Sequence, residues 1–249
     1  MLHTSGTPRL SYHAEGKGPL VIMLHGLLMD GKFWKDNGLI SALSPFFHIV
    51  CPDLIGHGKS EKTNVKEFYT QQNQALFIVK IMDELGYKKA HVIGYSAGAW
   101  VALGLLNRFP ERFNSVVLGG WDFKSGLPDT PEGKLSFDVF MSYARCVAPE
   151  LTTSLSTDDE KSVRYFFDEL RKYLGKEESF FPYSIPTLLW AGASDPYYAS
   201  MAELAELHAL PLLTGKGDHL SELKNLDKRS MNAILKFIQS PETFISSVT

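Results

Sequence analysis

The stretch Gly94-Tyr95-Ser96-Ala97-Gly98 is the feature of this 249-residue chain that best predicts its fold. It follows an apolar run, Ala90-His91-Val92-Ile93, and precedes a helical pattern from Ala97 to Phe109. A G-x-S-x-G sequence between a strand and a helix is typical of a nucleophile elbow, a tight turn that exposes the serine above the sheet edge. The two glycines remove Cβ atoms that would crowd such a turn. Because an ordinary strand-to-helix turn also fits the pentapeptide, the interpretation depends on the rest of the sequence.

A base and an acid follow two later strand patterns. A serine hydroxyl needs a base at neutral pH, and a histidine oriented by a carboxylate is the usual one. The apolar run Thr187 to Ala191 precedes Asp195, and the run Ala209 to Leu213 precedes His219. Each residue lies just past the C-terminal end of a strand, where parallel sheets place their sites. The sequence therefore predicts Ser96 as nucleophile, His219 as base and Asp195 as the acid that orients it.

Two motifs nearer the N-terminus extend the pattern. His25-Gly26-Leu27-Leu28 follows one apolar strand pattern, and Asp53-Leu54-Ile55-Gly56-His57-Gly58-Lys59-Ser60 follows the next. With these motifs the chain resembles the α/β-hydrolase family from about Gly18 to His219. The resemblance implies an α/β fold, with a mostly parallel central sheet flanked by helices. It also implies an oxyanion hole made by the backbone N–H groups of Leu27 and Ala97.

Two of these assignments have alternatives. Asp122 also follows a strand pattern, and some members of the family take the triad acid from that strand end, so Asp122 remains the alternative to Asp195. If Asp122 is not catalytic, it is expected to cap a helix or to form a salt bridge at the mouth of the site. Among the other histidines, His57 is the alternative base to His219, and His25 is expected to shape the oxyanion loop.

The alternation of strands and helices breaks between Asp122 and Pro186. A stretch of this length is too long for an unstructured loop in a compact domain. It contains two helical patterns, the second opened by a predicted capping box at Thr157-Asp158-Asp159-Glu160. We predict that residues 122–186 form a helical cap on a core made by residues 1–121 and 187–249. One face of the first helix, over residues 132–147, is predicted to carry Leu135, Val139, Phe140, Tyr143 and Val147.

Such a cap would lie above the strand ends and make the pocket apolar. The candidate lining residues are Trp121, Phe140, Tyr143, Phe166 and Phe167. At least half of them are expected to pack within the cap instead. Beyond the cap, the sequence predicts a last helix from about Ser221 to Ile238, which Pro241 ends, and a loosely held tail.

Composition excludes several classes of function. The chain is 44% hydrophobic and 12% aromatic, and its formal net charge is −3. No basic run indicates a nucleic-acid or lipid surface, so neither a nucleic-acid partner nor a membrane is expected. The absence of an apolar leader or spanning stretch predicts a cytoplasmic protein. Two cysteines imply no disulfide framework, and no HExxH or CxxC spacing is present, so neither a metal nor a cofactor is expected.

The predicted activity is hydrolysis of a carboxylic ester, thioester or lactone of a small or medium apolar molecule through an acyl-serine intermediate. Carbon–carbon bond hydrolysis of a dienoic ketone on the same triad is one alternative, although relatives with that activity often carry Ser-Met-Gly where this chain has Ser96-Ala97-Gly98. A receptor-like binding protein with a slow triad is the other alternative. Relatives that use an aspartate nucleophile, such as epoxide and haloalkane hydrolases, are disfavoured by Ser96.

Overall fold

The computed structural model describes residues 2–5, 7–175 and 185–248. The strands in these ranges are β1 (Leu2–Ser5), β2 (Leu10–Glu15), β3 (Leu20–Leu24), β4 (His48–Pro52), β5 (Ala90–Tyr95), β6 (Phe113–Gly119), β7 (Asp129–Thr130), β8 (Gly133–Lys134), β9 (Thr187–Gly192) and β10 (Leu212–Gly215). The helices are α1 (Phe33–Asp36), α2 (Leu39–Leu43), α3 (Gln71–Glu84), α4 (Ala97–Arg108), α5 (Phe137–Val147), α6 (Thr157–Arg171), α7 (Tyr198–Leu207), α8 (His219–Lys224), α9 (Lys228–Gln239) and α10 (Pro241–Val248).

One large sheet organises the described chain. Its strand order is β1-β2-β4-β3-β5-β6-β9-β10. Pairing is antiparallel from β1 to β2 and from β2 to β4, and parallel for every other neighbouring pair. The predicted fold class, a mostly parallel sheet flanked by helices, is therefore confirmed.

The inner strands are buried on both faces, as expected for parallel strands covered by helices. Every residue of β3, β5 and β9 is buried. Alternate residues of β3 belong to different hydrophobic clusters: Leu20, Ile22 and Leu24 pack with α3, α4 and α7, whereas Val21 and Met23 pack with α1, α2 and α9. The period of two along the strand thus divides the core into one layer on each side of the sheet.

The C-terminal region differs from the sequence prediction. The predicted last helix is two helices, α8 and α9, and α9 ends at Gln239. Pro241 starts α10 rather than ending the helical region, because proline is tolerated in the first turn of a helix, where its missing N–H is not needed. The ring of Phe244 on α10 lies 5.6 Å from that of Phe237 on α9. The prediction of a loosely held tail was therefore wrong for residues 241–248.

The segment between β6 and β9 stays outside the large sheet where the structure describes it. It contains the hairpin β7–β8 and the helices α5 and α6; residues 176–184, which also belong to the predicted cap, lie outside the described residues. The capping box of α6 is formed by Ser156 and Asp159. The prediction placed the start of this box one residue too late, at Thr157.

The buried face of α5 is not the predicted one. Its buried residues are Phe137, Met141 and Ala144. Val139, Tyr143 and Val147 are exposed instead. Apolar side chains cover more than half of the circumference of this helix, so the sequence pattern alone does not decide which part of that wide apolar surface is buried. The packing of Phe137 against α6 decides which side faces inward.

Helix α4 approaches the sheet too closely for side chains at two positions. A Cβ atom on Gly98 would lie 2.1 Å from the carbonyl oxygen of Leu24, at the end of β3. A Cβ atom on Gly94, at the end of β5, would lie 2.4 Å from the carbonyl oxygen of Gly98. Both distances are far shorter than any van der Waals contact, so glycine is required at both ends of the turn.

We expect Gly98→Ala to lower the free energy of unfolding by about 3 kcal/mol or more, because backbone must move to admit the new methyl group. The control is Gly86→Ala. Gly86, unlike Gly98, has a positive φ, +77°, and no atom lies within 4 Å of its added Cβ, so its cost is only the left-handed backbone strain of roughly 1–2 kcal/mol. Urea unfolding measures both variants. Equal losses would show that the close approach at Gly98 has no special cost.

Candidate active site

Ser96 occupies a strained turn between β5 and α4. Its backbone has φ +57° and ψ −121°, a conformation that costs a non-glycine residue on the order of 1–3 kcal/mol. The backbone N–H of Ser96 donates to the carbonyl oxygen of Gly119 at 2.8 Å, which ties the turn to the end of β6. The side chain is half-buried at the carboxyl edge of the sheet. This geometry presents the hydroxyl rather than burying it in the core.

His219 lies directly against this hydroxyl. It is the first residue of α8, which follows β10. Its Nε2 is 3.0 Å from Oγ of Ser96, and its Nδ1 is 2.9 Å from Oδ2 of Asp195. Because an ionised carboxylate only accepts hydrogen bonds, Nδ1 carries the proton and donates it to Asp195. The Nε2 lone pair is therefore directed at the Ser96 hydroxyl.

Asp195 follows β9 in a turn, and its side chain has no exposed surface. Its Oδ1 accepts a hydrogen bond from the backbone N–H of Tyr197 at 2.9 Å. Its Oδ2 accepts from His219 and also receives the hydroxyl of Tyr95 at 3.3 Å. The buried carboxylate thus has donors on both oxygens, which offset the cost of its burial.

Asp122 has a different set of partners. Its Oδ1 accepts from the backbone N–H groups of Lys124 and Ser125, each at 2.8 Å, and from the hydroxyl of Ser200 at 2.7 Å. These bonds close the turn after β6 and link it to α7. Asp195 is the carboxylate that the structure places against His219, whereas Asp122 closes a turn and binds Ser200 instead of capping a helix.

The backbone N–H groups of Leu27 and Ala97 flank the same serine. Gly26, beside Leu27, is so close that an added Cβ would lie 3.3 Å from Cβ of Ser96. Ala97 is the first residue of α4, where helix geometry leaves the N–H without an intrahelical acceptor. Neither N–H has a hydrogen-bond partner in the part of the chain that the structure describes. Both N–H groups therefore remain available as donors beside Ser96.

His25 is fully buried beneath the turn that carries Leu27. Its Nδ1 donates to the carbonyl oxygen of Gly26 at 2.8 Å, and its Nε2 accepts the backbone N–H of Leu54 at 2.9 Å. Burial lowers the pKa of this imidazole, which keeps it neutral. One ring nitrogen thus bonds within the 25–28 turn, and the other fastens that turn to the loop that follows β4.

His57 lies beside His25 and away from the serine hydroxyl. Its ring is 5.3 Å from that of His25 and 5.3 Å from that of Phe166. Its Nδ1 donates to the carbonyl oxygen of Ile55 at 3.2 Å, and within the described ranges its Nε2 has no partner. Burial is the main cause that lowers the pKa of His57 to about 3. The imidazole that touches Ser96 is that of His219.

The sequence reasoning missed two residues that support this arrangement. The hydroxyl of Tyr95 donates to the carbonyl oxygen of His219 at 2.8 Å. The carboxylate of Glu222, on α8, is buried; it accepts the indole N–H of Trp190 at 2.9 Å and the backbone N–H of Gly217 at 3.0 Å. Tyr95 occupies a variable position of the G-x-S-x-G motif, and Glu222 lies outside all of the motifs quoted above. The one sequence signal for Tyr95 was the pair Gly119-Gly120 after β6, whose missing side chains leave room for the Tyr95 ring.

Two of the five candidate lining residues are near the site. The buried ring of Trp121 is 6.1 Å from that of Tyr197, which is in turn 5.4 Å from the imidazole of His219. Phe166 of α6 is fully buried between His57 and Trp100. The Trp121 ring thus reaches His219 through Tyr197, whereas Phe166 packs on His57 and on Trp100, one helical turn after Ser96 in α4.

The other three candidates lie further out. Phe167 is fully buried and stacks on Phe140, with ring centroids 5.2 Å apart. These two rings join α5 to α6, which is packing within the segment. Tyr143 is 65% exposed, because α5 turns the face that carries it toward solvent. The choice of Tyr143 as a lining residue was therefore wrong.

No helix in ranges 2–5, 7–175 and 185–248 is long and apolar enough to cross a membrane. Within the same part of the chain, histidine, cysteine, aspartate and glutamate side chains form no group of three or more that could hold a metal ion.

Comparison with known families and proteins gives a consistent result. The family described as alpha/beta hydrolase fold matches residues 19–145. A putative carbamate hydrolase RutD from a Caulobacter species is 36% identical over 141 residues, which are 54% of this chain and 50% of that protein. An uncharacterized hydrolase YcgS from Bacillus subtilis is 29% identical over 132 residues, 53% of this chain and 45% of that protein. The matches span about half the length of these curated relatives.

Solved structures cover almost the whole chain. The N-acyl homoserine lactonase AidH superposes with a TM-score of 0.78 at 19% identity, over 98% of this chain and 99% of that one. The enol-lactonase from Burkholderia xenovorans has a TM-score of 0.77 at 18% identity, over 96% and 100%. The meta-cleavage product hydrolase CumD from Pseudomonas fluorescens has a TM-score of 0.74 at 23% identity, over 93% and 94%. At these identities the likeness establishes the fold alone.

Acid should destabilise the protein because His57 is buried in its neutral form. Its pKa is about 3 in the folded chain, whereas a histidine in an unfolded chain has a pKa of ~6.5. Between these two pKa values the unfolded state binds one more proton than the folded state. The contribution of His57 to the free energy of unfolding is therefore fully present above pH ~6.5 and falls as the pH decreases toward the folded-state pKa. We expect His57→Gln to remove about 1.4 kcal/mol per pH unit from this slope.

The measurement is the free energy of unfolding in urea at a series of pH values from neutral to mildly acidic. His91 is a second test of the same kind, since burial lowers its pKa to about 4 and His91→Gln should reduce the slope in the same way. A slope that His57→Gln leaves unchanged would contradict the neutral buried state of His57.

Proposed function

We propose that this chain, which belongs to the alpha/beta hydrolase family through its match over residues 19–145, is a hydrolase of carboxylic compounds. Its proposed substrates are esters, thioesters or lactones of small to medium apolar molecules. The observation that carries the proposal is the continuous hydrogen-bond chain from Ser96 Oγ to His219, at 3.0 Å, and from His219 to Asp195, at 2.9 Å. Three residues from distant parts of the sequence are thus aligned for nucleophilic catalysis.

Acylation uses this hydrogen-bond chain in order. The oxygen of Ser96 attacks the substrate carbonyl carbon while Nε2 of His219 takes the hydroxyl proton. Asp195 holds the proton on Nδ1 and stabilises the imidazolium that forms. The negative charge on the former carbonyl oxygen is bound by the N–H groups of Leu27 and Ala97, and such donors are each worth roughly 3 kcal/mol. The tetrahedral adduct collapses when His219 returns its proton to the leaving alcohol or thiol.

Deacylation repeats these steps with water. His219, neutral again, takes a proton from a water molecule that attacks the acyl carbon of the Ser96 ester. The same two N–H groups bind the second oxyanion. His219 then protonates Ser96 as the acid departs, which restores the starting state. The reaction needs only these groups and water.

The preference for an apolar substrate rests on a proposed cap formed by residues 122–186. Its support is that β7, β8, α5 and α6 lie outside the large sheet. In addition, the Trp121 ring packs on Tyr197, which packs on His219, and Phe166 packs on Trp100, one helical turn after Ser96. Buried aromatic walls exclude water and favour an apolar acyl or alcohol group.

Carbon–carbon bond hydrolysis is the second candidate function. It would use the same three residues, and the meta-cleavage product hydrolase CumD shares the fold over 93% of this chain, so the fold is compatible with this reaction. Parallel assays with nitrophenyl esters of increasing acyl length and with a dienoic ketone separate the two reactions. Turnover of the ketone alone would select the second candidate.

We expect a fluorophosphonate to label the protein on Ser96, since the reagent traps a serine that is activated by a neighbouring base. Intact-mass analysis and peptide mapping locate the adduct. Ser96→Ala should lose both labelling and ester hydrolysis while its melting temperature stays near that of the unchanged protein. Ser194→Ala, on a serine in the turn before Asp195, is the control and should still be labelled. An adduct on another serine would contradict the assignment.

We expect Asp195→Asn to reduce kcat for ester hydrolysis by on the order of 10⁴-fold, because an amide at this position favours the wrong imidazole tautomer. Asp122→Asn is the matched comparison. It weakens a turn and should change kcat little. The measurement is steady-state kinetics of both variants on one nitrophenyl ester. A larger loss in Asp122→Asn would reverse the choice of acid.

A further inference from the structure

Tyr95 directly precedes Ser96 and has no exposed surface. Its ring lies 4.9 Å from the indole of Trp190 and 5.3 Å from the imidazole of His219. The residue is therefore enclosed by the structural elements that carry the proposed triad: β5, the end of β9 and the start of α8.

The neighbouring backbone leaves room for this ring by omitting side chains. A Cβ atom on Gly119 would lie 2.5 Å from Cδ2 of Tyr95, and one on Gly120 would lie 2.8 Å from its Cζ. Gly120 also has a φ of +56°, which a side chain rarely adopts. The Gly119-Gly120 pair after β6 thus seats the tyrosine ring against the site.

Filling this space requires only an aromatic ring, so the hydroxyl needs a separate explanation. A buried hydroxyl without partners would cost stability, and phenylalanine would avoid that cost. The Tyr95 hydroxyl instead reaches the carbonyl oxygen of His219 at 2.8 Å and Oδ2 of Asp195 at 3.3 Å. These partners lie 124 and 100 residues further along the chain.

We propose that Tyr95 is a positioning residue for the hydrolytic reaction, which holds His219 and Asp195 in register with the serine beside it. The inference rests on the proposed function and deepens it. Because Ser96 and Tyr95 are adjacent, one rigid turn carries both the nucleophile and the anchor for its base and acid. The single hydroxyl proton is shared between two acceptors, with the shorter contact to His219.

Electrostatics keep this hydroxyl a donor. Burial, followed by the negative charges of Asp195 and Glu222, raises the pKa of Tyr95 well above its ordinary value. The phenol therefore keeps its proton and remains a hydrogen-bond donor. A tyrosinate would instead repel Asp195 and could not donate to the carbonyl oxygen of His219.

Tyr95→Phe compared with Tyr69→Phe tests the inference. Tyr69 is also fully buried, and its hydroxyl donates to the carbonyl oxygen of Thr63 at 2.9 Å, outside the triad. The readouts are the rate of fluorophosphonate attachment to Ser96, kcat and KM for a nitrophenyl ester, and the melting temperature. The Phe ring fits between the same glycines and Trp190, so the fold is expected to persist.

We expect Tyr95→Phe to slow labelling and kcat by roughly tenfold to a hundredfold, the effect of losing one hydrogen bond to a charged network, with KM near its original value. Tyr69→Phe should keep the original rates at a similar melting temperature. Original labelling rates in Tyr95→Phe, or equal slowing in both variants, would overturn the positioning role alone. Failure of the unchanged protein to react at Ser96 would overturn the proposed function and this inference together.

Discussion

The close approach of α4 to β3 and β5 is the constraint on which the site depends. At Gly98 the helix lies so near the sheet that a methyl group would meet the carbonyl oxygen of Leu24 at 2.1 Å. This approach forces the turn at Ser96 into its strained conformation, and the bond from Ser96 N–H to Gly119 retains it there. The strain is supported by the surrounding core, since the whole of β5 and the first ten residues of α4 are buried.

A parallel sheet converts this local turn into a site. The loops after β3, β5, β9 and β10 leave the same edge, so their residues meet there although they are far apart in the chain. His219 and Ser96 are separated by 123 residues yet lie 3.0 Å apart. Each loop contributes at least one residue to the site, and the strand before it fixes the position where that loop begins.

Buried polar groups then secure the loops to one another. His25 links the turn after β3 to the loop after β4, and Glu222 links α8 to β9 through Trp190. Tyr95 adds a third link, between the serine turn and the other two members of the proposed triad. Each of these groups forms at least two hydrogen bonds, which offset the free-energy cost of removing it from water. The positions of Ser96, His219 and Asp195 therefore depend on these hydrogen bonds as well as on the strands.

The sequence by itself determined the fold class, because apolar strand runs, helical patterns and the glycines of the elbow are local signals. It also predicted Ser96, Asp195 and His219, since each follows a strand at the edge where parallel strands end. Local patterns could not choose the buried face of α5, where apolar residues cover more than half of the circumference, or foresee that Pro241 starts α10. Those outcomes depend on which surfaces meet. Tyr95 and Glu222 were found only in the tertiary structure, because a hydrogen bond across a hundred residues leaves no periodicity in the sequence. The physical reason is that propensity acts within a few residues, whereas packing and buried hydrogen bonds are decided when distant segments come together.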